Sequence, residues 1–169
     1  MKRLLLIRHA KSSWKNADLP DAERPLNKRG QKDAPRMAKR LKEKRIFPDV
    51  ILCGPAVRTK ATCEVFCELL NFDLQRVQYL PELYHASETT LLRVVRQVKD
   101  TADRDQVVLI FGHNPGLTDF ANLLFDEEIE NVPTCGVVCG EVKAATWNEV
   151  KPGCGTLDFF DYPKRKKHS

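Results

Sequence analysis

The chain alternates short apolar runs with longer stretches in which apolar residues return every three or four positions. Residues 3–7 (RLLLI), 49–53 (DVILC) and 106–111 (QVVLIF) are nearly continuous apolar runs. Such runs predict strands covered on both faces. Residues 74–80 (LQRVQYL) alternate only partly and predict a weaker strand. The spacing predicts helices between these strands. One covers 30–45, with Met37 and Leu41 on its inner face; Pro35 lies in its first turn or kinks it. A second covers 56–70, where Ala61, Val65 and Leu69 form a stripe beside Phe66 and Leu70. A third covers 88–100, with Leu91, Val94, Val95 and Val98 inward and Ser87 as its cap. A fourth runs from about 116 to 125.

Strand and helix in turn predict an α/β fold, a three-layer α/β/α sandwich around a mostly parallel sheet. The last third is less regular. Residues 136–147 and 155–162 predict two more strands, paired as an antiparallel edge hairpin. Neither a repeat nor a flexible linker interrupts the pattern. The expectation is one domain over 1–163 and a basic tail over 164–169.

Composition narrows the class. At 42% hydrophobic and 30% charged residues, the chain has the make-up of a globular domain, not of a disordered one. Its apolar runs are far too short to span a bilayer. A basic pair does precede the first run, but the run ends after four residues at Arg8-His9, too short for a signal segment. The expected location is therefore cytoplasmic, with no membrane partner. The formal charge of +5 suits anionic ligands without naming one. Part of it sits in the final KRKKHS, which suits a solvated tail holding an incidental His168; no aromatic or glycine pattern accompanies the charges, so no nucleic-acid partner is expected. The six cysteines include Cys63/Cys67 and Cys135/Cys139, each four apart, which is not a zinc-knuckle spacing. They are expected to be structural thiols, with no metal.

In open α/β sheets ligands gather at the carboxyl ends of the strands. After the first strand come Arg8 and His9. After the second comes GPAVRT with Arg58, and after the third PELYH with Glu82 and His85. After the fourth comes GHNPG with His113. Arginine offers forked donors that match phosphate oxygens. Helix starts after Pro55 and Pro115 add backbone N–H groups. Histidine is a nucleophile toward phosphorus when a second group holds it. Two histidines, two arginines and a carboxylate would converge on one rim.

LIRHAKSSW resembles the RHG signature of the histidine phosphatase superfamily, the phosphoglycerate mutase-like fold. RPLNKRGQKDA resembles its following loop, CGPAVRTKATCE its S-x-x-x-R-x-x-x-T motif, and GHNPGL its second-histidine motif. The short length, RHAKSSW and LPELYHAS look most like phosphohistidine phosphatases of the SixA type. The resemblance spans residues 3 to about 125. It implies that His9 takes the phosphoryl group, that Arg8 and Arg58 bind its oxygens, and that His113, if protonated, stabilises it. No cofactor is implied, and the partner is a phosphorylated substrate, a phosphohistidine-bearing protein foremost. The leaving-group acid of larger relatives falls in the region of Glu82, with Asp18 and Asp21 as further candidates. Arg24 and Lys28 stand either at the substrate rim or as solvated loop charges, Trp14 and His85 either at the rim or in packing. Two positions depart from the pattern: Ala10 replaces a glycine and Gly54 a serine. Two other readings stay open: a phosphatase of a small phosphoester, and a non-catalytic phosphate-binding module.

Overall fold

A computed structural model of the chain describes residues 1–101 and 105–165. Its elements, in order, are β1 (Lys2–Arg8), α1 (Lys28–Glu43), β2 (Val50–Cys53), α2 (Val57–Leu69), β3 (Gln78–Tyr79), α3 (Glu88–Arg96), β4 (Gln106–Gly112), α4 (Gly116–Leu124), β5 (Val137–Val142) and β6 (Gly155–Asp161). They form one six-stranded sheet in the order β3-β2-β4-β1-β5-β6. The first four strands in that order pair in parallel, while β5 runs antiparallel to β1 and β6 antiparallel to β5.

Alternation along the strands divides the core into two layers. Leu4 and Leu6 of β1, with Val108 and Ile110 of β4, pack against α3 and α4. Leu5 and Ile7, with Leu109 and Phe111, pack against α1 and α2. Leu4 to Ile7 are fully buried. Each such side chain contributes about 2 kcal/mol on burial, more than a typical hydrogen bond, so the strand end at Arg8 is firmly held.

The helices differ from the periodicity mainly at their ends. The Asn27 side chain accepts from the Gly30 N–H at 2.8 Å, so α1 starts at Lys28. Pro35 thereby lies inside the helix, beyond its first turn. Ser87 caps α3 as expected, accepting from the Thr90 N–H at 3.2 Å.

Two expectations change. The strand over 74–80 shrinks to Gln78–Tyr79, because the Asp73 carboxylate accepts from the Gln75 N–H and turns Leu74–Arg76 into a 3-10 turn. The strand over 136–147 stops at Val142; Trp147 is instead buried in a 3-10 turn, its indole N–H donating to Gln106 at 2.8 Å. Of the expected tail, Lys164 and Arg165 are described, whereas 166–169, with His168, lie outside the described residues.

Candidate active site

The first strand ends at Arg8, and His9 follows with both backbone groups tied down. Its N–H donates to the Gly112 carbonyl at 3.1 Å, and its carbonyl accepts from the Cys135 N–H at 3.0 Å. The imidazole is 7% exposed. Its Nδ1 stands 2.8 Å from the Ala10 carbonyl oxygen. A carbonyl only accepts, so Nδ1 carries the hydrogen and the lone pair is left on Nε2. Burial, reinforced by Arg58, Arg8 and Arg24, pushes the His9 pKa down to about 4. The ring is therefore neutral near pH 7, the form a nucleophile needs.

Arg58 sits in the first turn of α2 and is 1% exposed. It donates to the Asp21 backbone oxygen at 2.6 Å and to the Asp21 carboxylate at 3.0 Å. Arg8 donates to the Val132 carbonyl at 3.0 Å, and burial and Arg58 lower its pKa. The Nε atoms of both arginines are buried without a protein partner. A buried unpaired donor is costly, and an oxyanion would satisfy it.

His113 follows β4 and is also buried. Its ring centroid lies 5.2 Å from that of His9 and 4.5 Å from that of His85. Arg58 can only donate to His113 Nδ1, 3.4 Å away, which leaves the hydrogen on Nε2, 3.4 Å from the Thr59 hydroxyl. Burial first, then the charges of its neighbours, push the His113 pKa down to about 3. His113 thus stands here as a neutral ring, where sequence reasoning considered a protonated one.

These residues line one cleft of about 350 Å³, together with Trp14, Asp21, Arg24, His85, Asn114 and others. Arg24 is 7% exposed: it donates to Ser12 at 2.6 Å and to the Asp21 carboxylate, and its guanidinium stacks 3.6 Å from the Trp14 ring centre. Of its two expected positions it takes the cleft wall. Lys28 does not line the cleft.

Glu82 does not line it either. It sits exposed in the 3-10 turn Pro81–Leu83. Side chains in such a turn step by roughly 120°. Leu83 is 1% exposed and points into the core, so Glu82 points away. The carboxylate in the cleft is Asp21. It accepts from Arg58, Arg24, the Tyr84 hydroxyl and His85 Nε2, the last at 3.0 Å. The Tyr84 hydrogen bond, followed by those of His85 and the arginines, holds its carboxyl well below the usual carboxylate range. A group that stays ionised cannot donate a proton. Asp18 does not line the cleft. Beside Asp21, His85 takes a left-handed backbone with φ 47°, an uncommon conformation for a non-glycine residue and one often found at functional sites.

Sequence reasoning missed Asp21 as a hub and Tyr84 altogether, since neither carries a local motif. It also missed Thr62, whose hydroxyl accepts from the Ala10 N–H at 2.9 Å and steadies the chain just past His9. Six cysteines are free; Cys63 and Cys67 lie with their sulfurs 3.9 Å apart, and burial and hydrogen bonding raise both pKa values. Among the described residues no helix is long and apolar enough to cross a membrane, and no group of three or more His, Cys, Asp or Glu could hold a metal ion.

The model of the histidine phosphatase superfamily (branch 1) matches residues 4–90, just over half of the chain. An uncharacterized chloroplastic protein of Arabidopsis thaliana is 29% identical over 153 residues, covering 88% of this chain and 70% of its own. The crystal structure of an Agrobacterium tumefaciens protein assigned as the phosphohistidine phosphatase SixA superposes with a TM-score of 0.80 at 26% identity, over 95% of this chain and 97% of that one. The protein histidine phosphatase SixA complexed with tungstate superposes with a TM-score of 0.79 at 21% identity, with the same coverage. The chain belongs to the histidine phosphatase superfamily, branch 1, as a phosphoryl hydrolase of the SixA type.

Proposed function

We propose that the chain removes phosphoryl groups from protein phosphohistidine through a covalent intermediate on His9. The observation that carries this reading is the fixed proton on His9 Nδ1, which leaves a neutral Nε2 among unpaired arginine donors. In the first step Nε2 forms a bond to phosphorus as the bond to the leaving imidazole breaks. Arg8 and Arg58 hold the equatorial oxygens, where charge must be neutralised. In the second step water attacks phospho-His9, releasing phosphate and restoring the neutral ring.

The leaving atom needs little help when it is an imidazole nitrogen, because a ring protonated on its other nitrogen departs neutral. That suits a cleft whose only lining carboxylate, among the described residues, is held ionised. His85 lines the same cleft and gives its Nε2–H to Asp21; with Nδ1 also protonated it would carry a second N–H for the leaving atom. Support also comes from a solved structure of this fold that carries tungstate, a tetrahedral oxyanion like phosphate.

The test is rapid quench with labelled phosphohistidine. Wild type is expected to accumulate an acid-labile adduct, and His9→Ala to form none and lose at least about a thousandfold in kcat. Full activity in His9→Ala sinks the mechanism. A strong preference for one small phosphoester over phosphohistidine overturns the substrate.

A further inference from the structure

The cleft is not the only concave surface on this side of the molecule. Lys11, Ser12 and Trp14 line the cleft, and the intervening Ser13 and the next residue Lys15 line, with Lys28 and Arg29, an adjoining groove of about 430 Å³. Lys28 and Arg29 also line a second groove of about 330 Å³, which continues past Lys32 and Arg36 to Lys164. The two grooves share Lys28 and Arg29 and together make a trough along the exposed face of α1.

The trough is strongly cationic. Its only lining carboxylate among the described residues is Asp33, which is 4% exposed and already faces Arg29 at 3.4 Å and Arg36 at 4.0 Å. Lys15, Lys28 and Lys32 are exposed and form no ion pair with a described carboxylate. Lys28, Lys32 and Arg36 are four residues apart on α1. They therefore stack on one face at intervals of about 6 Å. Alternate side chains of an extended polypeptide lie about 6.6 Å apart on one side. The charges thus match acidic residues placed at every second position of an extended chain.

We infer that this trough docks an acidic, extended segment of the protein substrate, flanking the phosphorylated side chain held in the cleft. The inference rests on the protein substrate proposed above. A groove that begins at the cleft wall favours an occupant continuous with what enters the cleft. Single-stranded nucleic acid is the less suitable occupant, because such grooves interleave their cations with exposed aromatic platforms. The exposed aromatic side chains are Trp14, Phe47 and Tyr79, and none of them lines the trough.

The experiment uses the full chain and Lys28→Gln/Lys32→Gln/Arg36→Gln. Arg29 is kept so that Asp33 stays paired. Two fluorescent peptides are compared, one alternating Asp with Ser and one with Asn in place of Asp, each with and without a terminal phosphohistidine. Wild type is expected to bind the acidic peptide at least about tenfold more tightly than the neutral one, with the preference falling as salt is raised. The triple variant should lose that preference in binding and in kcat/KM, while its turnover of free phosphohistidine stays within about twofold of wild type. Equal binding of the two unphosphorylated peptides by wild type overturns the inference, as does an undiminished preference in the triple variant. Displacement of the acidic peptide by a single-stranded oligonucleotide at a tenth of the peptide's own competing concentration reassigns the trough to nucleic acid and overturns it too. If no phosphohistidine is turned over, the substrate reading fails by itself, and binding of the unphosphorylated peptides still decides the trough.

Discussion

The Arg58 guanidinium holds Asp21 twice, with 2.6 Å to its backbone oxygen and 3.0 Å to its carboxylate, across 37 positions of sequence. One end of that clamp is a buried arginine of the cleft, and the other is the loop that also carries Arg24. Asp21→Asn keeps the shape and removes the charge. It should lower kcat/KM by about 10- to 100-fold, because Arg58 and Arg24 lose the carboxylate that orients them. The dependence of the loss on leaving-group pKa should be no steeper than in His85→Asn, which a series of substituted phenyl phosphates measures. A steeper dependence than that would make Asp21 a proton donor itself.

His85 should act chiefly on the leaving group. Its φ of 47° is one that asparagine also tolerates, so His85→Asn preserves the turn. Turnover of phenyl phosphates with poor leaving groups is expected to fall by about 10²-fold. Hydrolysis of phosphohistidine should fall only a few-fold. Equal losses on both substrates would leave His85 as part of the wall.

Acid should destabilise the folded chain in a defined window. His9 and His113 titrate at about 4 and about 3 when folded, and near 6.5 when unfolded. Between those limits the unfolded chain binds more protons, so stability falls as pH falls below about 6.5. At about 1.4 kcal/mol per proton and pH unit, His9 alone costs on the order of 3 kcal/mol by pH 4. Urea unfolding at pH 7 and pH 4.5 measures the slope, and His9→Gln or His113→Gln should flatten it. An unchanged slope in both variants would locate the acid sensitivity elsewhere.

Gly30 is set against the backbone of Lys11. A Cβ there would overlap the Lys11 carbonyl oxygen and lie 3.0 Å from its N–H nitrogen, with no flexible side chain to give way. Gly30→Ala should cost about 1–3 kcal/mol in urea unfolding. Activity should fall as well, since Lys11 is two residues from the nucleophile. Wild-type stability in Gly30→Ala would show that the start of α1 and the loop are free to part.

The places of Arg8, His9, Arg58 and His113 were legible in the sequence because each ends or follows a strand or opens a helix, so local pattern alone locates it. Asp21 was not, because its role is defined by donors 37, 63 and 64 positions away. Glu82 was misjudged at the level of a single turn: its position along the chain suits the cleft, but the burial of Leu83 directs it outward. The two layers of the core followed from alternation in β1 and β4. The short β3 did not, since one Asp73 hydrogen bond outweighs the weak alternation of 74–80.

The antiparallel direction of β5 has a consequence for how such a cleft is roofed. A parallel strand delivers its far end to the site, whereas β5 delivers its beginning, so the segment entering it meets the cleft. Val132 accepts from Arg8, Gly136 accepts from the Arg8 N–H, and Asn131 accepts from the cleft residue Asn114. Extra residues inserted between Asn131 and Gly136, where Thr134 lines the cleft, would grow outward beside His9 without crossing any strand. The size of what can enter the cleft would then depend on the length of this one connection, which can vary while the sheet stays as it is.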